Sequence, residues 1–162
     1  MKILVAGIGN IFLGDDAFGV EVVRRMGAQR VSDSVRVVDF GIRSYDLAYS
    51  LMEDWDHVIL VDAISRGGQP GTVYVIEPDL ENLGEPDLDA HSMNPESVLR
   101  MVQALGGKMK HILVLGCEPA TVDASDDGQF ALSRPVESAV DRAIQIIREI
   151  IARVSGGAAV AA

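Results

Sequence analysis

Apolar residues follow two rhythms along this chain. Short continuous or alternating runs read as strands, and runs repeating every three or four residues read as helices. Ile3-Leu4-Val5-Ala6 marks a first strand over residues 2–6, and Val20, Val22, Val23 and Met26 mark a helix over 17–28. Residues 35–40 alternate and stop at Gly41, which predicts a second strand. Ser44 is placed to cap a short helix over 45–52, with Leu47, Ala48 and Leu51 on one face. The most apolar run, 57–62, predicts a central strand ending in Asp62.

A fourth strand is expected at 72–76 and a fifth at 110–115. Only eight residues, 63–70, separate the third strand from the fourth, whereas a parallel crossover needs roughly a dozen. The fourth strand should therefore run antiparallel to the others. Asn94-Pro95-Glu96 starts a helix that runs to Leu105 and stops at Gly106-Gly107. A last helix opens at Ser133-Arg134-Pro135 and carries one apolar stripe from Val136 to Val154. The expected fold is α/β, a three-layer α/β/α sandwich on a mixed, mostly parallel five-stranded sheet. Residues 1–154 should form one domain, with 155–162 a mobile tail lacking a packing pattern.

Composition narrows the partners. With 162 residues and 48% apolar content, the chain can bury a proper core. No run reaches the ~18 apolar residues of a membrane span, and no secretory segment precedes the first strand. The lone Cys117 suits a reducing cytoplasm. A net charge of −10 disfavours nucleic acid and anionic membranes, and leaves room for a basic partner or a metal ion. The apolar stripe of the last helix is accounted for by the core, so a monomer is expected.

The chemistry concentrates after the first strand, in Gly7-Ile8-Gly9-Asn10-Ile11-Phe12-Leu13-Gly14-Asp15-Asp16. A dinucleotide loop needs glycine where Phe12 stands, and two carboxylates at the helix start would repel a phosphate. They suit a cation, although either one could simply be the helix N-cap. The topology brings Asp16, Asp62 and His91 to one edge of the sheet, and two carboxylates with an imidazole can hold a first-row divalent ion. Each also has a structural role open to it: Asp62 as a turn cap, His91 as a surface residue, Asp16 as a cap. Asp39 ends a strand at the same edge. It is either a ribose-binding acid, which keeps an oxidoreductase in view, or a wall of the metal cleft. Cys117 is a possible nucleophile, but His111 stands at the far end of its strand and cannot serve it.

The opening Ile3–Asn10, Gly14-Asp15-Asp16-Ala17-Phe18-Gly19-Val20, Val61-Asp62-Ala63, Pro70-Gly71-Thr72, Asp89-Ala90-His91-Ser92 and Leu115-Gly116-Cys117-Glu118-Pro119 together resemble the hydrogenase maturation protease family. The likeness runs from about residue 2 to residue 151. It implies a cytoplasmic endopeptidase that removes a C-terminal extension from the large-subunit precursor of a nickel–iron hydrogenase. It also implies that Asp16, Asp62 and His91 contact a metal, the nickel supplied by the substrate; the isolated chain is then metal-free or holds a surrogate divalent ion. Asp16 and Asp39 are the candidate catalytic acids, and Asp39, Gly41 and Arg43 the candidate substrate-binding residues. Some relatives carry glutamate in place of Asp16, and Arg43 departs from a segment often richer in glycine and threonine. A non-catalytic assembly chaperone for the same precursor would use the same ligands.

Overall fold

The computed structural model describes residues 1–85, 93–120 and 131–156. Strand β1 (Ile3–Ile8) leads through a single 3-10 turn, Gly14–Ala17, into helix α1 (Phe18–Gly27). Strand β2 (Val35–Gly41), helix α2 (Ser44–Leu51) and strand β3 (His57–Ala63) follow. The chain continues through β4 (Val73–Ile76), α3 (Pro95–Ala104), β5 (Ile112–Cys117) and α4 (Arg134–Val154).

The sheet order is β2-β1-β3-β5-β4. Strands β1, β2, β3 and β5 are parallel, and β4 pairs antiparallel with β5 at the edge. The antiparallel fourth strand follows from its short connection, as the sequence requires. Side chains alternate across the sheet. Ile3, Val5, Ile59, Val61 and Leu115 face α1 and α4, while Leu4, Ala6, Val58, Leu60 and Val114 face α2 and α3. Burial on both faces explains why these strands read as unbroken apolar runs. The result is the expected α/β/α sandwich.

Several boundaries differ from the pattern. β5 begins two residues late and runs through Cys117, because His111, with φ of 27°, turns the chain before it joins β3. Ser44 is the first residue of α2 and makes no capping bond; Arg43 precedes it. Asn94 does cap α3, accepting a hydrogen bond from Ser97 N at 2.8 Å, with Pro95 next in the first turn. Residues 157–162, most of the expected tail, lie outside the described residues.

All four parallel strands end at one edge, at Ile8, Gly41, Ala63 and Cys117. The register of β1 against β2 shifts between Gly7 and Ile8, pairing Gly7 with Asp39 and Ile8 with Gly41. Beyond the shift, Gly9 N donates to Gly41 O at 3.0 Å, so the two loops leave the sheet locked together.

Candidate active site

Two glycines seat the acidic turn on the sheet. A Cβ on Gly19 would collide with the carbonyl oxygens of Val61 and Ile8, so α1 can start directly over β1 and β3 only with glycine there. Gly9 has φ of 147°, and a Cβ on it would strike the carbonyl oxygen of Asp16. The turn that carries Asp15 and Asp16 therefore lies hard against the end of β1.

The two neighbouring acids have different jobs, and neither is an N-cap: the 3-10 turn and α1 both start without a side-chain cap. Asp15 is buried, and its carboxylate accepts from Ala120 N at 2.9 Å, Ser133 N at 2.6 Å and Ser133 Oγ at 2.8 Å. Asp16 is half-buried and accepts from Asn10 N at 2.8 Å through Oδ2.

Asp62, at the end of β3, is 3% exposed. Its Oδ1 accepts from Ala63 N at 2.8 Å. Burial raises its pKa well above the ordinary carboxylate value, the charge of Asp16 raises it further, and the Ala63 N–H acts in the opposite sense. The fold thus brings Asp16 and Asp62 into electrostatic contact, as expected from their strand-end positions. A buried carboxyl beside a second acid is poised to exchange its proton for a cation. Two carboxylates of this kind are oxygen donors of the type a divalent ion takes. His91, the third expected ligand, lies outside the described residues, and among the described residues no three metal-binding side chains cluster.

Asp39, Gly41 and Arg43 are brought together in a groove of about 350 Å³, which Gly9, Asn10 and Phe12 also line. Asp39 Oδ2 accepts from Arg24 Nε at 3.2 Å. Arg43 is folded back on its own turn: Nε donates to Phe40 O at 3.1 Å, Nη2 to Asp39 O, and Nη1 lies 3.5 Å from Asp46. Gly41 turns the chain there with φ of 55°. Asp62 lines a separate cavity of about 540 Å³ with Ala63, Ser65, Ile76, Leu83 and Asn94. The predicted residues therefore form two groups at one edge, Asp16 with Asp62 and Asp39 with Gly41 and Arg43.

Cys117 is not built as a nucleophile. Its thiol is fully buried and pushed up to about 12, first by burial and then by the charges of Asp15 and Glu118. His111 stacks on His57 at 4.9 Å between ring centroids, at the opposite end of β5. A dinucleotide is also poorly served, since Asp39, the acid that would hold its ribose, is paired with Arg24.

Glu118 is a structural residue that the sequence reading missed. It is buried, and its carboxylate accepts from Arg66 N at 2.7 Å, Gly67 N at 3.0 Å and Tyr74 Oη at 3.0 Å. These bonds, led by that from Arg66 N, lower its pKa. An acid placed between a buried strand and Pro119 was the available signal.

A family model described as hydrogenase maturation protease matches residues 20–150. The chain belongs to this family. Its match spans Asp39, Asp62 and His91 and begins just after the acidic turn. A Methanocaldococcus jannaschii protein, provisionally named a hydrogenase maturation protease, is 36% identical over 147 residues, covering 90% of this chain and 93% of its own. The hydrogenase 2 maturation protease of Escherichia coli is 28% identical over 152 residues, covering 92% of each chain. The solved structure of the hydrogenase maturating endopeptidase HybD from Escherichia coli superposes with a TM-score of 0.76 at 26% identity, covering 96% of this chain and 94% of that one. The chain is accordingly a protease of hydrogenase maturation.

Proposed function

We propose that this protease removes the C-terminal extension of a nickel–iron hydrogenase large-subunit precursor, and that it reads the nickel already installed in that precursor. The observation that carries the reading is the buried Asp62 carboxyl at the end of β3, its proton affinity raised by Asp16. An uncompensated acidic pair of this kind favours a substrate that arrives with its own cation. In this reading His91 is the third contact.

In this reading Asp16, Asp62 and His91 touch the substrate's nickel. A divalent ion held there can polarise the scissile carbonyl or lower the pKa of an attacking water. The groove of Asp39, Gly41 and Arg43 takes the peptide beside the ion, with Asp39 the candidate proton acceptor. Asp39 is kept in place by Arg24, and Arg43 fixes the backbone that carries it. The site would act in the cytoplasm, on a monomer of this chain.

Intact mass of a large-subunit precursor after incubation with the chain, with and without nickel loaded, tests the reading. Loss of a short C-terminal peptide only from the loaded precursor supports it. Equal cleavage of both forms refutes nickel reading. A stable complex without cleavage replaces the protease with an assembly chaperone.

A further inference from the structure

We propose that Asp15 is a positioning residue for Asp16, acting as a buried strap between the acidic turn and the β5–α4 crossover. The inference rests on the reading that Asp16 belongs to the reacting site, and it explains how that residue is held before any substrate arrives.

Both oxygens of Asp15 are engaged, Oδ1 by Ser133 N and Oδ2 by Ala120 N and Ser133 Oγ. The donors lie 105 and 118 residues away in the sequence, on the two sides of a single crossover. Asp15 is 5% exposed, and no ion pair involving it occurs among the described residues. The anion is held by N–H and O–H donors alone. Three of the roughly four lone-pair sites of this carboxylate are thereby spent on the protein, which commits it to the fold.

The next residue faces the other way. Asp16 Oδ2 accepts from Asn10 N, and its charge reaches Asp62. Both acids sit in one 3-10 turn of four residues, Gly14–Ala17, too short to fix itself. Contacts from outside hold it, among them the backbone of Gly9 packed against Asp16 O, the bond from Asn10 N to Asp16, and the three bonds to Asp15 from the crossover. Removing the Asp15 carboxylate strands two backbone N–H groups and a hydroxyl, and frees the turn to shift Asp16 away from Asn10 and Asp62.

The test compares wild type with Asp15→Ala by residue-resolved amide hydrogen exchange, together with steady-state processing of nickel-loaded precursor. Exchange at Ala120 and Ser133 should quicken in the variant, on the order of tenfold for each bond lost. The decisive amide is Asn10, whose acceptor is Asp16 and which Asp15 does not touch; it should quicken as well, while Gly9 N, bonded to Gly41 O, stays as in wild type. Processing should fall in kcat and KM should rise as well, because Asp16 meets the substrate's ion and also holds Asn10, which lines the peptide groove. An unchanged Asn10 amide would confine the strap to the crossover and overturn the proposal. Quickened exchange with undiminished kcat would overturn its link to the reaction. If wild type itself processes nothing, the proposed substrate is wrong, and the Asn10 amide still decides whether Asp15 positions Asp16. Should Asp15→Ala fail to fold, Ser133→Ala, which removes one of the three bonds, provides the same comparison with a smaller shift.

Discussion

Asp16 raises the proton affinity of Asp62 across the gap between the first turn of the chain and the end of its central strand. The two acids are separated by a helix, a strand and a second helix in sequence, yet they share one electrostatic environment. Most of what this edge of the molecule can do follows from that pairing.

The pairing has a sign in stability. Burial first, and Asp16 second, hold the folded-state pKa of Asp62 above the ordinary 3.8. Between those two values the folded protein binds more protons than the unfolded chain, so stability falls as pH rises through that window. Asp62→Asn keeps an acceptor for Ala63 N and removes the buried charge. It should melt higher than wild type at neutral pH, by about 2–4 °C for each kcal/mol recovered. The advantage should disappear on acidification below the ordinary carboxylate range. A melting difference independent of pH, followed by circular dichroism, would contradict the coupling.

Glycine at position 19 is a steric requirement. A methyl group there meets the carbonyl oxygens of Val61 and Ile8, backbone atoms that cannot step aside. Gly19→Ala should destabilise the fold by on the order of 3 kcal/mol in urea denaturation. Gly27→Ala, in the same helix with open space at its Cβ, should not. Equal behaviour of the two variants would show that α1 is not wedged against β1 and β3 as described.

Much of this fold is legible in the sequence for physical reasons. The run at Ile3–Ile8 and the Val58-Ile59-Leu60-Val61 stretch of β3 are apolar because helices cover both faces, and the short link before Val73 dictates an antiparallel edge strand. Asn94-Pro95 predicts its helix start because capping is a local interaction. The misreadings involve contacts between distant parts of the chain. Asp15 looked like a cap because its partners, Ala120 and Ser133, lie far away in sequence, and Glu118 was passed over for the same reason. The start of β5 differs from the pattern because no residue pattern announces the turn at His111. Position after the first and third strands brings Asp16 within electrostatic reach of Asp62, whereas Asp39 and Gly41, expected to wall the same cleft, line with Arg43 a groove apart from the Asp62 cavity.

Cys117 should be dispensable. Its thiol is buried and held at about 12, so it carries almost no thiolate at neutral pH. Cys117→Ala should process precursor at the wild-type rate, and iodoacetamide should leave the native protein active. Inactivation by either route would return a cysteine nucleophile to consideration.

The central claim is that Asp16 and His91 meet the substrate's nickel at the edge where Asp62 is buried. It is tested most directly by the intact mass of nickel-loaded large-subunit precursor incubated with wild type, Asp16→Ala or His91→Ala, each first shown by circular dichroism to be folded. The account predicts a precursor shortened at its C-terminus by wild type and left whole by both variants. Full processing by either variant would contradict it.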